Sequence, residues 1–296
     1  MDDLRLRQFI ERHSRLFILT GAGCSTESGI PDYRDADGGW KRAAPIMYQA
    51  FMGEPAARQR YWARSLVGWQ RLRAAQPNAA HHALAHLQRQ HRATQLVTQN
   101  VDRLHQAAGS PEVIDLHGRI DQVRCMSCQR RQSREDFQAD LVRLNPAWAD
   151  IDALQAPDGD ADFERHDFSR FQLPPCQQCG GVLKPDVVFF GEHVPPDRVH
   201  RSMSQLLEAD AMLVIGSSLM VYSGYRFAQA AAQAGKPIAA VNLGRTRADA
   251  LLALKVTQSC SAALAFLLQA AGDVQPATPG AAHSTLPTAS SSAAVS

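Results

Sequence analysis

Four of the six cysteines stand in two Cys-x-x-Cys pairs, Cys125 with Cys128 and Cys176 with Cys179. Two such pairs supply four thiolates, the ligand set of a tetrahedral zinc ion. Because four thiolates leave no coordination position for a substrate, we expect a structural zinc ion. The 47 residues between Cys128 and Cys176 exceed the spacing of a usual zinc ribbon, so this segment must loop out of the zinc module. Redox-active pairs are the alternative, disfavoured because neither pair follows a strand-to-helix signature.

A glycine-rich turn carries a second kind of chemistry. Gly21 and Gly23 follow a short apolar run at residues 16–19, which predicts a buried parallel strand. Such a turn lets the backbone approach a ligand closely, and leading into a helix N-terminus it suits phosphate. The fingerprint G-x-G-x-x-G would need a glycine where Thr26 stands, so an ordinary hydride-transferring dehydrogenase is disfavoured. A plain tight turn is the alternative interpretation.

Polar or small residues follow four further predicted strands, at residues 93–97, 112–116, 211–215 and 237–241. Carboxyl ends of parallel strands meet at one edge of a sheet, where open α/β sheets bind ligands, so this recurrence predicts a crevice. His117 stands at such an end with a glycine behind it, and a histidine suits general-base catalysis. In the segment Asn100-x-Asp102, the polar pair could equally cap the following helix.

Composition bounds the remaining functions. The 296 residues are 45% hydrophobic and 20% charged, as in soluble globular proteins, and the net charge of +2 gives no electrostatic case for nucleic acid or a membrane surface. The acidic N-terminus lacks the apolar core of a secretory signal, and the sparse cysteines suit a reducing compartment, so we expect a cytoplasmic protein. Residues 272–296 contain few large apolar side chains and predict a disordered tail.

The motifs, taken in order, resemble those of the sirtuins, the NAD-dependent protein deacylases. They are the glycine loop running into residues 28–34, Gln-Asn-x-Asp, His-Gly, the cysteine pairs, Phe-Gly-Glu, Gly-Ser-Ser and Val-Asn. The resemblance covers residues 4–271, and Cys24 with residues 61–69 is most similar to the class II branch. It implies an α/β fold: a Rossmann-like parallel sheet with helices on both faces, a small zinc-binding domain and a helical module.

We therefore divide the chain into four parts. The NAD-binding domain comprises residues 1–43, 78–120 and 183–271; the helical module is 44–77, the zinc-binding insert 121–182 and the tail 272–296. Helical spacing predicts helices near 3–13, 78–90, 224–235 and 262–270.

The resemblance implies NAD as a co-substrate. The pyrophosphate would lie against Ala22 and Gly23, and the nicotinamide ribose and carboxamide by Asn100 and Asp102. For Cys260, expected beside the adenine, a small buried thiol is an equally good interpretation. The full set that the resemblance assigns to NAD is Gly21, Ala22, Gly23, Ser25, Asp32, Tyr33, Arg34, Trp40, Gln99, Asn100, Val101, Asp102, Gly216, Ser217, Ser218, Asn242, Leu243, Gly244 and Cys260.

The resemblance also implies the reaction. The acyl oxygen of a modified lysine attacks the nicotinamide ribose, His117 acts as general base beside Asn100, and the products are nicotinamide, free lysine and acyl-ADP-ribose. Mono-ADP-ribosyl transfer from the same pocket and a non-catalytic NAD-binding module are the alternatives.

The resemblance further assigns the acyl-lysine peptide to an extended segment that contains Val188, Phe190 and Gly191, with strand addition as the binding mode. Tyr61 and Arg64 lie one helical turn apart and resemble a pair that binds the carboxylate of acidic acyl groups. A half-buried tyrosine beside a solvated arginine is the alternative. We expect an acyl-lysine protein or peptide as partner, without nucleic acid or membrane.

Overall fold

A six-stranded parallel sheet organises the computed structural model, which describes residues 2–41, 45–90, 93–148, 154–155, 161–162 and 167–272. In chain order the strands are β1 (Leu16–Thr20), β2 (Ala93–Thr98), β3 (Val113–Asp115), β4 (Gly118–Cys125), β5 (Arg131–Ser133), β6 (Leu154–Gln155), β7 (Ala161–Asp162), β8 (Leu183–Val187), β9 (Ala211–Ile215), β10 (Ile238–Val241) and β11 (Leu254–Val256). The α-helices are α1 (Asp2–Arg12), α2 (Tyr48–Gly53), α3 (Pro55–Ala74), α4 (Ala79–Arg89), α5 (Leu104–Ala107), α6 (Arg134–Leu144), α7 (Pro196–Glu208), α8 (Tyr222–Gln233) and α9 (Cys260–Gly272).

The strand order in the large sheet is β11-β10-β9-β1-β2-β3, and every neighbouring pair is parallel. Thr20 at the end of β1 pairs with Thr98 on one side and Ile215 on the other, and Ile215 pairs with Val241. The residues that follow these strands therefore emerge along one edge. The predicted Rossmann-like parallel sheet is confirmed.

Alternate side chains of the strands enter two separate cores, because successive residues of a strand point to opposite faces. Ile18 packs with residues of α1, α4 and α9, whereas Phe17 and Leu19 pack with residues of α7 and α8. Helices therefore cover both faces of the sheet, which explains why its strands are mostly apolar. Asn78 caps α4 by accepting the backbone N–H groups of Ala80 and His81.

A smaller unit stands beside the sheet edge. Its antiparallel sheet has the order β5-β4-β8, and one apolar cluster joins this sheet to α2, α3 and α6. Trp62 of α3 is buried there and its indole N–H donates to the carbonyl oxygen of Leu183 at 3.2 Å. Helical module and zinc-binding insert thus share a core, and β8 pairs with β4, outside the parallel sheet. We propose a unit boundary after Val187, later than the one predicted at residue 183.

Residues 273–296, most of the predicted tail, lie outside the described residues. Among the helices that the structure describes, none is long and apolar enough to cross a membrane.

Gly118 offers a test of the junction between β4 and β8 in the smaller sheet. Its φ is +86°, and a Cβ atom there would collide with the carbonyl oxygen of Asp186 in β8. We predict that Gly118→Ala lowers the free energy of unfolding by at least about 2 kcal/mol, because positive φ and the clash both oppose a side chain. Urea denaturation measures this difference.

The matched control is Gly53→Ala, at the end of α2, where a Cβ atom would meet nothing within 4 Å. Alanine there is expected to leave stability unchanged or raise it by up to about 1 kcal/mol. Equal unfolding curves for Gly118→Ala and the wild type would contradict this account of the junction.

Candidate active site

One cavity of about 710 Å³ opens at the carboxyl ends of β1, β2, β9 and β10 and reaches the segment that follows β8. Most of the residues predicted to bind NAD or the acyl-lysine line it. They are Gly21, Ala22, Gly23, Asp32, Tyr33, Arg34, Trp40, Gln99, Asn100, Val101, His117, Val188, Phe190, Gly191, Gly216, Ser217, Ser218, Asn242, Leu243, Gly244 and Cys260.

The glycine loop folds for a reason that the sequence did not indicate. The N–H groups of Gly21 and Gly23 donate to the carbonyl oxygens of Ile215 and Gly216, at 3.0 and 2.8 Å. A Cβ atom on Gly21 would lie 2.7 Å from Cβ of Ser217, and one on Gly23 would lie 2.9 Å from the Gly216 oxygen. These glycines therefore let two loops of the protein pack together. We call the part of the cavity wall that the two loops form, at residues 21–23 and 216–218, the cradle.

The loop does not lead directly into an α-helix as expected. It continues as two 3₁₀ turns, Ala22–Cys24 and Thr26–Ser28. The cradle is built from turns and from the paired Gly216 loop, and its floor is fixed by the backbone bonds between them.

Ser25 and Asp102, both predicted to contact NAD, lie behind the wall of the cavity. The Ser25 hydroxyl donates to the Asp102 carboxylate at 2.7 Å, and Asn100 Nδ2 donates to Ser25 Oγ at 3.0 Å and to the Gly21 oxygen at 3.1 Å. Burial raises the pKa of Asp102, although the Leu104 N–H and Ser25 bonds oppose that rise. This network ties the glycine loop to the end of β2.

His117 is held in one tautomer. Its Nδ1–H donates to the backbone oxygen of Gln99 at 2.9 Å, which leaves Nε2 to accept the Ser223 hydroxyl at 2.8 Å. Burial lowers the pKa of His117 to about 4, and the positive charges of Arg198 and Arg226 act in the same direction. The ring is therefore neutral near pH 7, with a lone pair available on Nε2.

Ser223 was missed by the sequence analysis. It lies in the first turn of α8 and lines the cavity, yet no motif marks it. Its position a few residues after the Gly216–Ser218 loop is the only signal that could have drawn attention to it.

Aromatic side chains form the outer wall. The ring centroids of Trp40 and Phe190 are 5.5 Å apart, and Tyr33 lies 6.1 Å from each of them. The Arg34 guanidinium carbon lies 3.5 Å from the Trp40 ring centroid, a cation–π geometry. A loop that follows the glycine turn is thereby fastened to the segment after β8.

The segment that we predict to bind the peptide is not one continuous strand. β8 ends at Val187, and the N–H of Val188 donates to the His117 carbonyl oxygen at 2.7 Å. The Phe190 oxygen accepts the Tyr48 N–H at 2.8 Å, so the segment bridges the general-base candidate and α2.

Tyr61 and Arg64 are not among the described side chains that line the cavity. The Tyr61 ring packs against Phe51 and Phe189, with centroid distances of 5.4 and 5.1 Å, and Phe189 does line the cavity. Tyr61 therefore stands one layer behind the wall.

The four cysteines of the Cys-x-x-Cys pairs converge at the end of β4. Their sulfur atoms all lie within 4.8 Å of one another, with Cys125 Sγ 3.5 Å from Cys179 Sγ and Cys128 Sγ 3.7 Å from Cys176 Sγ. Zinc–sulfur bonds of about 2.3 Å in a tetrahedron place sulfurs about 3.8 Å apart, so the donors fit zinc. The predicted structural zinc site is supported.

Comparisons with known proteins agree with this geometry. The family model described as "Sir2 family" matches residues 21–223. A protein of Xanthomonas campestris named "NAD-dependent protein deacetylase" is 67% identical over 264 residues, 89% of this chain and 90% of that protein. "NAD-dependent protein deacetylase 2" of Bradyrhizobium diazoefficiens is 64% identical over 263 residues, 89% of this chain and 96% of that protein.

Solved structures give the same result for the fold. The structure described as "Sir2-p53 peptide-NAD+" superimposes with a TM-score of 0.71 at 28% identity, covering 92% of this chain and 99% of that one. "Sir2 bound to acetylated peptide" gives a TM-score of 0.70 at 27% identity over the same shares.

Substitution of one cysteine tests the zinc site, with an exposed residue of the same Cys-x-x-Cys pair as the control. We predict that Cys176→Ser loses the tightly bound zinc and melts several degrees lower, because three thiolates hold the metal poorly and its binding stabilises the fold. Gln178→Ala, at an exposed position between the ligands, should keep both. Metal analysis after dialysis, with thermal unfolding, makes the comparison; equal zinc in the two variants would refute the assignment.

Proposed function

The chain belongs to the Sir2 family, and from that premise we propose how its cavity works. The protein is an NAD-dependent deacylase that removes acyl groups from protein lysine side chains, giving nicotinamide, free lysine and O-acyl-ADP-ribose. The observation that supports this most directly is that His117 and the glycine loop line one cavity at one edge of the sheet.

The residues of the cavity fit NAD. Ala22 and Gly23 line the cavity where the glycine loop packs closely on the Gly216 loop, so a pyrophosphate could lie directly against the backbone. Asn242 stands at the far end of the same edge, after β10, where the resemblance assigns the adenosine ribose. Bound NAD would supply an electrophilic ribose carbon with nicotinamide as the leaving group.

His117 is the proposed general base. Its Nδ1–H bond to the Gln99 carbonyl fixes the ring, and Nε2 can take a proton from a ribose hydroxyl once the Ser223 hydroxyl moves aside. A pKa of about 4 keeps the ring neutral across the physiological range, so no deprotonation must precede the step. Asn100 positions the loop through Gly21 and Ser25.

The acyl-lysine is proposed to enter beside the segment after β8. Val188, Phe190 and Gly191 line the cavity next to His117, and the Phe190 ring gives an apolar wall for the acyl chain and lysine methylenes. Holding both reactants in this enclosed space supplies the proximity that a weak amide nucleophile requires.

Removal of an acyl group from lysine is supported over mono-ADP-ribosyl transfer, because relatives that are 67% and 64% identical are named NAD-dependent protein deacetylases. The cytoplasm is the proposed compartment, since a four-thiolate zinc site suits reducing conditions. The modest charge of +2 supports a protein partner without nucleic acid.

Substitution of His117 tests the reaction. We predict that His117→Gln lowers kcat/KM for release of nicotinamide and acyl-ADP-ribose from NAD and an acetyl-lysine peptide by at least about 100-fold, because glutamine cannot accept the proton. Calorimetry should find NAD binding little changed. His200→Gln, at an exposed position on α7, is the control. Wild-type turnover by His117→Gln would end the general-base assignment, and label from NAD found on protein would support the ADP-ribosyltransferase alternative.

Acyl selectivity is a separate proposal. If Tyr61 and Arg64 bind an acyl carboxylate, the wild type should remove succinyl or glutaryl groups faster than acetyl, and Arg64→Ala should reduce that preference about tenfold, as expected for a lost charged hydrogen bond. Arg60→Ala, exposed on the same helix, is the matched control. A wild type that removes acetyl as fast as acidic groups, with Arg64→Ala changing neither, would show that this pair is structural.

A further inference from the structure

A second set of metal-ligating side chains lies beneath the glycine loop, away from the four zinc-site cysteines. Cys24, His81 and His105 are 1%, 0% and 1% exposed, and one ligand atom from each lies within 4.8 Å of the other two. Cys24 ends the first turn of the glycine loop, and the histidines come from α4 and α5.

The hydrogen bonds of the histidines leave one nitrogen of each ring without a partner. His81 Nδ1 lies 2.9 Å from Asn78 Oδ1 and 3.3 Å from the backbone nitrogen of Asn78; the shorter contact, to an oxygen that can only accept, places the proton on Nδ1. His105 Nε2 lies 2.8 Å from Thr20 Oγ1, whose hydroxyl donates to Thr98. The opposite nitrogens, His81 Nε2 and His105 Nδ1, are buried and have no hydrogen-bond partner. Oxygen atoms that accept the N–H on one side orient the lone pair on the other, the usual arrangement of histidine metal ligands.

Both rings are in the state that a metal requires. Burial lowers the pKa of His81 to about 4 and that of His105 well below its ordinary value, so each ring is neutral near pH 7. Their ring centroids are 4.7 Å apart. Two buried lone pairs without donors are costly, which distinguishes this cluster from a satisfied polar core.

We propose that Cys24, His81 and His105 form a second metal site. The site would bind one divalent transition-metal ion that accepts both sulfur and nitrogen ligands, as Zn²⁺ does. A thiol and two imidazoles match the donors that such cations prefer, whereas Mg²⁺ and Ca²⁺ prefer oxygen.

The charges at the site balance when the cation binds. The Cys24 thiol loses its proton to solvent as the metal–sulfur bond forms, and the imidazoles bind as neutral ligands. Without the cation the thiol is protonated, because its hydrogen bond with Cys260, burial and the charges of Asp102 and Glu27 raise the pKa of Cys24 well above its ordinary value. A divalent ion has to displace that proton, and with one thiolate it leaves a single positive charge, which the two carboxylates can offset.

Occupancy of this site would act on the NAD cradle, a consequence that rests on the proposed function. Zinc–nitrogen bonds of about 2.0–2.1 Å and a zinc–sulfur bond of about 2.3 Å require ligand atoms roughly 3.3–3.7 Å apart. The three ligand atoms lie within 4.8 Å of one another, so bonds of these lengths would hold Cys24 to α4 and α5. Cys24 directly follows Gly23, whose N–H donates to the Gly216 carbonyl oxygen, so the metal should change NAD affinity, and NAD should change metal affinity by the same factor.

Cobalt titration tests the site without any turnover. Co²⁺ is added to the protein with its structural zinc in place, and zinc content is followed in the same samples. We expect one Co²⁺ per chain with a thiolate-to-cobalt charge-transfer band and no zinc released. The band should be lost in Cys24→Ala and in His105→Gln but kept in His82→Gln, whose side chain is exposed on α4. A wild type without the band, or a band that survives Cys24→Ala, overturns the proposal.

A variant could lose the cobalt band because it fails to fold, so a second measurement uses the wild-type protein alone. X-ray absorption at the cobalt edge should find one sulfur and two imidazole ligands, and a shell of oxygen and nitrogen only would overturn the site. Calorimetry then compares NAD affinity with and without one equivalent of Zn²⁺, with a change of about fivefold or more expected. An unchanged affinity would refute the coupling. Failure of the deacylase proposal would leave the cobalt result untouched, so the two outcomes are distinguishable.

Discussion

The close contact between the loops after β1 and β9 is the constraint on which the site depends. Backbone bonds from Gly21 to Ile215 and from Gly23 to Gly216 join these loops at distances that no Cβ atom would permit. The glycine loop is held from within only by 3₁₀ turns, so its contact with the Gly216 loop adds bonds that these turns do not supply. Parallel pairing of β1 with β9 places these two loops side by side, so the cradle is a direct consequence of the strand order.

Gln99 extends that constraint to His117, the proposed general base. Its side chain donates to the Ser217 hydroxyl at 2.7 Å, its N–H donates to the Thr20 carbonyl, and its own carbonyl oxygen accepts the Nδ1–H of His117. One residue at the end of β2 therefore links the imidazole to both glycine-bearing loops. A shift of the cradle should be transmitted to the ring through a few hydrogen bonds, which is why the position of the loops matters for catalysis as well as for binding.

Sequence reasoning succeeded where the signal is local. Apolar strands ending in His117 or Asn100, and cysteines at fixed spacing, predicted the sheet, the edge that bears the site and the zinc ligands, because short-range patterns encode them. It failed where partners are remote in sequence: the pairing of β8 with β4, the bond from Ser223 to His117, and the use of the Gly23 N–H within the protein. Such features depend on which distant segments come together in the fold, and the spacing of residues along the sequence does not contain that information.

The central claim is that the cradle and the His117 ring face the same NAD molecule. A crystal structure of the protein with NAD and an acyl-lysine peptide tests this most directly. Our account predicts the pyrophosphate against Ala22 and Gly23 and a nicotinamide-ribose hydroxyl within about 2.6–3.2 Å of His117 Nε2, replacing the Ser223 hydroxyl. A nicotinamide ribose bound away from His117, with the Ser223 bond intact, would contradict it.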